Sequence, residues 1–240
     1  MNLSTLSRAC FSRVRATLPG LWANRSGLAL IEFALAMPIV LTLGLYGIET
    51  ANLALIHLKI SQITLSLADN ASRVGVVGSL STQQLREVDM NDVLQAARYQ
   101  GSGIGLTTNG RITISSLENQ TGTQMIHWQR CLGLKSGTNF DSSYGTTTTT
   151  DGTDATSAND GTPAPTGMGD PGSKVMAPTA SGVMFVEVNY QYQPVVGTWL
   201  MGTSNLHYIA SFIVRDPRDF TQIYNPSPTA TRSTCNLHTS

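Results

Sequence analysis

Charge is scarce in this chain: only 12% of its 240 residues are Asp, Glu, Lys or Arg, and fifteen acids cancel fifteen bases to a formal net charge of zero. Such a balance supplies no global field to attract a polyanion, so nucleic acid is not an expected partner. Cysteine is rarer still, at three residues, Cys10, Cys131 and Cys235. His57, His127, His207 and His238 keep no metal-ligand spacing to one another or to cysteine, and no zinc helix motif occurs. Asp151, Asp154, Asp160 and Asp170 lack the spacing of an EF-hand or a nonapeptide repeat and read as solvated loop acids. Gly101-Ser102-Gly103-Ile104-Gly105 follows a helical pattern, whereas a phosphate-cradling loop follows a strand. Serine, histidine and aspartate are all present, but nothing in the sequence places them together. No enzymatic activity, metal, cofactor or small-molecule substrate is therefore expected.

What the chain does have is one long apolar run, Leu28 to Tyr46. About 20 residues at roughly 1.5 Å each reach about 30 Å, the thickness of the hydrocarbon core of a bilayer. The pattern continues past Tyr46 into Leu53, Ile56 and Ile60, which a cleaved secretory signal would not do. Ahead of it lie Arg8, Arg13, Arg15 and Arg25 without an acid, so the positive-inside bias puts this end in the cytoplasm and everything after Gly47 across the membrane. Cys10 then belongs to the reducing side. Cys131 and Cys235 share the oxidising side and are expected to pair.

One residue in the run conflicts with lipid. Glu32 stands near its start, and translocon scales charge about 2.5 to 3.5 kcal/mol for an acid at a helix centre, less toward the end. If the chain is cut after Gly27, the new amine of Leu28 lies one helical turn from Glu32, at i and i+4. Satisfaction by unpaired helix-start N–H groups and the helix dipole is the simpler alternative. Pro38 removes a hydrogen bond to the carbonyl of Ala34, which packing in a bundle or a kink could accommodate; a tolerated membrane proline is the alternative.

The order of basic leader, Gly27, four apolar residues, Glu32 and apolar helix resembles a type IV pilin-like precursor. The wider string from Gly27 to Leu35, with Pro38 and Gly47-Ile48-Glu49 behind it, resembles the TadE-like pseudopilins of tight-adherence (Flp) pilus systems. In the second half, Trp128 to Cys131, Phe185 to Tyr190 with Pro194, and Phe212 to Asp216 are similar to strand patterns of the longer members. The resemblance implies a minor pilin or pseudopilin of the bacterial inner membrane, single-pass, with its C-terminal part periplasmic or extracellular. It implies cleavage between Gly27 and Leu28 by a prepilin peptidase, and an assembly role for Glu32 toward its own amine or a neighbouring subunit's. The implied partners are other pilins or pseudopilins and the pilus assembly platform.

Along the chain the expected organisation is a leader over 1–27, a transmembrane helix over 28–47 and an amphipathic continuation over 48–78. Leu53, Ile56, Ile60, Ile63, Leu67, Ala71 and Val74 form that continuation's apolar stripe, opposite a half-wet face. Residues 79–141 hold a short surface helix, capped by Ser81 or Thr82 and ended near Gly101, then a β-hairpin of Arg111 to Leu117 and Thr123 to Cys131 turning at Asn119 to Gly122. Residues 142–173, rich in Thr, Gly, Asp, Ser and Pro, read as a mobile low-complexity loop. Over 174–240, two strands around Val183 to Tyr192 and Leu206 to Val214 flank a short crossing at Trp199 to Met201, followed by a Pro- and Thr-rich tail held by Cys235. The expected fold class is α+β, a long N-terminal transmembrane and amphipathic helix packed on a small antiparallel sheet of about four strands, a pilin-like plan. A membrane-anchored adhesin using the 142–173 loop is the competing function.

Overall fold

The structure, a computed structural model, describes residues 26–77, 82–119 and 122–240. The leader arginines, Cys10, Gly78, Ser81 and the Gln120-Thr121 part of the hairpin turn lie outside the described residues. The chain divides between Thr50 and Ala51 into two compact units. Helix α1 (Ser26–Arg73) runs through Pro38 and contributes to both.

In the second unit, α1 buries Ile56, Ile60, Ile63, Leu67, Ala68 and Ala71, a stripe at steps of three and four as the periodicity required. The helix stops at Arg73, before Gly75 at φ +150°. Its last carbonyls have a dedicated partner. Arg218 donates from Nη2 to Val74 O at 2.7 Å, Ser72 O at 3.2 Å and Ala71 O at 3.3 Å, placing a buried cation at the negative end of the helix dipole. Burial lowers the guanidinium's pKa to about 10, still charged at neutral pH.

Strands β1 (Val76–Val77) and β2 (Gln83–Gln84) pair as a small antiparallel ribbon after the helix. Helix α2 (Glu87–Gln100) starts later than the Ser81 or Thr82 cap predicts, because Gln83 and Gln84 are already used in the ribbon. Asp89 takes over the capping role, accepting from the backbone N–H of Arg86 at 3.1 Å and from its guanidinium at 2.7 Å. This helix is not merely laid on the surface, since Met90, Val93, Leu94 and Ala97 are all buried. The short helix α3 (Leu106–Asn109) then leads into the main sheet.

That sheet has five antiparallel strands, one more than expected, in the order β5 (Thr162–Pro163), β4 (Met125–Leu132), β3 (Gly110–Asn119), β6 (Ser181–Gln191), β7 (Asn205–Ile213). The additional strand is the two-residue edge β5. The 3–4 hairpin and the β6–β7 pair form where the alternation predicts them. One face carries Ile112, Ile114, Trp128, Met184, Val186, Val188, Tyr190 and Ala210, and packs in one core with the α1 stripe and α2. The α+β class thus holds, with the second half of the long helix on one sheet face.

The opposite face is covered as well. Leu117, Ile126, Val183 and Phe185 meet Ala164, Met168 and Ala177, with Tyr144 standing edge-on to Phe185 at 5.3 Å between ring centroids. The 142–173 segment is therefore packed against the sheet, contrary to the mobile loop its composition suggests. Its polar residues bond into the strands: Ser142 Oγ to Glu187 at 2.5 Å and Thr147 N to Gln129 Oε1 at 3.1 Å. A Cβ on Gly161 (φ +89°) would lie 2.0 Å from Ile126 O, so only glycine permits this approach to β4.

With both faces covered, polar groups inside the sheet must be satisfied internally. Arg130 forms a two-point ion pair with Glu87, at 2.8 and 2.5 Å, with both side chains fully buried. At a bulge in β4, His127 Nδ1 meets Glu118 Oε2 at 2.9 Å. Burial alone would depress this imidazole, but the hydrogen bond and charge of Glu118 outweigh it, and the pKa is raised above 6.5. The C-terminal tail is fastened by the Cys131–Cys235 disulfide, by hydrogen bonds from Cys131 N to Ser233 O and from Gly133 N to Thr239 O, both 2.7 Å, and by buried Arg111, which donates to the carbonyls of Cys235 and Leu237.

Two outcomes follow from these fastenings. Cys131→Ser, which opens a link across 104 residues of sequence, is expected to cost about 2 to 5 kcal/mol of unfolding free energy; denaturant titration measures it, and two free thiols in the exported protein by non-reducing mass analysis contradict the link itself. For the His127–Glu118 pair the folded pKa lies above the unfolded one, so its stabilisation is complete below pH 6.5 and disappears as pH rises through the folded value. Thermal unfolding across that window should show this decline in the native protein and lose it in His127→Gln.

Candidate functional site

Helix α1 carries the candidate residues Gly27, Leu28 and Glu32, and its two halves present different surfaces. Within the described helix Glu32 is the seventh residue, and the first turn contains no acid. It therefore stands beyond the leading N–H groups that a helix-start carboxylate would satisfy, and beyond the turn in which the dipole acts strongly. Glu32 is exposed, as are Gly27 and Leu28. Around it Leu30 is 72% exposed, Leu35 68% and Ile39 63%. A helix with apolar side chains exposed on all sides needs lipid or other helices around it. Among the described residues, one helix is long and apolar enough to cross a membrane.

Among the described residues no contact requires glycine at position 27. A Cβ added there meets nothing within 4 Å, yet glycine in a helix costs roughly 0.5 to 1 kcal/mol relative to alanine. Glu49, by contrast, is fully buried, so the acid inside the apolar run and the acid just after it occupy opposite environments.

In the second unit, the side of α1 turned from the sheet carries the half-wet face expected, with Lys59, Gln62 and Arg73 exposed, and it carries leucines among them as well. Leu55, Leu58 and Leu65 are 65%, 60% and 50% exposed, on one side of the helix by their spacing of three and seven. Sequence reading took the buried stripe and overlooked this second one, although its spacing is equally helical. Arg218 and Arg111 were also missed; no local pattern marks a side chain whose partners are carbonyls far away in the chain.

The remaining polar clusters are accounted for by packing. Ser116 Oγ donates to Glu118 Oε1 at 2.6 Å, and His127 holds the other oxygen. The carboxylate thus separates hydroxyl from imidazole, whereas a nucleophile and its base must touch. The adjoining cavity, lined by Ser116, Glu118, Trp128, Met184, Arg218 and Asp219, holds about 10 Å³, room for about one water. His207 bonds Asn189 Oδ1 at 2.5 Å, and Tyr144 Oη donates to Asp170 at 2.6 Å. Burial raises the pKa of Glu187, although Ser142 and Ser143 donate to its carboxylate. Asp151 and Asp154 accept hydrogen bonds from Thr148 and from Thr156 and Asn159 in their own turns. Among the described residues no three of His, Cys, Asp and Glu gather as a metal site requires.

The geometry brings Gly27, Leu28 and Glu32 together at the start of α1 and places the Cys131–Cys235 disulfide in the second unit. The architecture is pilin-like: a long N-terminal apolar helix whose second half packs on an antiparallel sheet. No protein-family model, curated protein or solved structure matches the chain.

Proposed function

We propose that this protein is a minor pilin or pseudopilin that assembles through its N-terminal helix in a tight-adherence pilus system, after a prepilin peptidase removes the leader at Gly27. The observation that carries the reading is that two surfaces of the helix stay exposed among the described residues. One is the exposed apolar first half of α1 with Glu32 in it, and the other is the outward leucine stripe of Leu55, Leu58 and Leu65.

The chemistry is that of association. An acid in lipid is costly unless a cation answers it. Cleavage after Gly27 creates an amine at Leu28, one turn from Glu32 and available to it or to the Glu32 of a neighbour. A Cβ at Gly27 would meet open space among the described residues, as at Gly44 and Gly47; what sets Gly27 apart is its place five residues before Glu32, where a narrow protease site would face the residue before the scissile bond. Helices of several subunits can bury the outward leucines against one another, as amphipathic helices do in a groove. The broad sheet unit suits a minor component that primes, caps or scaffolds, more than a fibre subunit built of little beyond the helix. Its partners are other pilins or pseudopilins and the assembly platform in the inner membrane, with the sheet unit on the periplasmic or outer side. Catalysis has no part in it.

Glu32→Ala is expected to abolish or strongly reduce piliation, counted by electron microscopy, while the protein remains in the membrane with Cys131 and Cys235 joined. Leu58→Asp should act in the same direction. Normal piliation in Glu32→Ala cells that lack the native copy would contradict the reading.

A further inference from the structure

The connection between β6 and β7, residues 192–204, buries Tyr192 in the core but leaves the apolar side chains that follow it exposed or only partly covered. Trp199 and Val195 are each 69% exposed, and Leu200 and Met201 are partly so. From Val188 to Val214 there is no Asp, Glu, Lys or Arg. Surface loops are ordinarily polar, and exposed apolar clusters mark contact with something other than water. The indole N–H of Trp199 donates to Val196 O at 3.2 Å, so the ring carries its own hydrogen-bond partner.

Its position in the fold identifies the contact. Asn52 Nδ2 donates to Tyr192 Oη at 2.8 Å, and His57 bonds Tyr208 Oη at 2.8 Å. At the other end of the same helix, Arg218 holds the carbonyls of Ala71 to Val74. Strand β6 therefore runs antiparallel to this part of α1, and its turn into β7 lies at the Asn52 end. Asn52 is only six residues from Tyr46, where the apolar run closes, which is about 9 Å of helix. The headgroup layer is itself roughly 5 to 7 Å thick on each side of the hydrocarbon. Chain connectivity therefore holds Asn52, and Tyr192 bonded to it, within about 9 Å of the end of the apolar run.

We infer that the loop of Val195, Trp199, Leu200 and Met201 inserts into the headgroup region of the membrane, giving the sheet unit a second lipid contact beside the helix. Tryptophan is enriched at this depth because its ring is apolar and its N–H polar. The absence of charge makes the contact independent of anionic lipid. This inference rests on the reading of Leu28 to Tyr46 as a membrane span.

The test uses the full-length protein reconstituted into phosphatidylcholine vesicles, with and without bromine placed high on the acyl chains. Trp199→Phe, a mild change at an exposed site, serves as the reference, so that the difference in emission reports Trp199 alone. The expected result is that this component loses most of its intensity in the brominated vesicles, equally with or without anionic lipid and at low or high salt. If the protein floats with the vesicles but the component is quenched only by aqueous iodide, the inference is overturned while the span stands. Shielding from both quenchers in floated protein means a second copy or another protein covers the loop, and also overturns it. Failure to float, or release by alkaline carbonate, removes the span and the inference together.

Discussion

The packing of the second half of α1 on the sheet sets what every other surface of this protein can do. Ile60, Ile63, Leu67 and Ala71 are fully buried against a face built from Ile112, Ile114, Val186 and Val188. At about 1.5 to 3 kcal/mol for each large apolar side chain removed from water, this contact dominates the attachment of the helix to the rest of the unit. Helix packing consumes one side only. The side bearing Leu55, Leu58 and Leu65 is left over, and so is the whole circumference of the helix around Leu30, Leu35 and Ile39.

The sheet can act as a rigid platform because both of its faces and one of its edges are closed. Helices cover one face and the 142–173 segment the other, while β5 and the C-terminal tail lie along β4. Closing both faces forces charge inward, and the unit answers with pairs: Arg130 with Glu87, His127 with Glu118, and Arg111 and Arg218 with backbone carbonyls. Arg218 is the most consequential of these, since it joins the end of the long helix to a segment about 145 residues later in the chain. The disulfide and Arg111 fix the tail in the same spirit, by linking it to the sheet it crosses.

Much of this was legible in the residues, and what was not has physical causes. The period of 3.6 over Ile56 to Ala71 and the alternation through Val183 to Tyr192 and Leu206 to Val214 fix one helix and two strands, because each repeats its own geometry over many residues. Gly27 and Glu32 stood out because glycine and an acid are costly where they sit. The cover over the far face was not legible: composition counts how few apolar residues lie between Ser142 and Ser173, but Tyr144, Ala164 and Met168 need only be placed well, with threonines and aspartates satisfying the backbone. The start of α2 shifted because Gln83 and Gln84 were taken by a ribbon too short to leave a pattern. The outward leucines were visible in sequence but were assigned to no surface, since a stripe can be called exposed only once its opposite side is known to be buried.

The central claim is that the start of α1 becomes an assembly surface when the basic leader is removed at Gly27. Intact-mass and N-terminal peptide spectrometry of the protein taken from its native membrane tests this most directly. The predicted species begins at Leu28, lacks residues 1–27 and retains the Cys131–Cys235 bond. A chain that still begins at Met1, or whose mature terminus lies elsewhere, contradicts it.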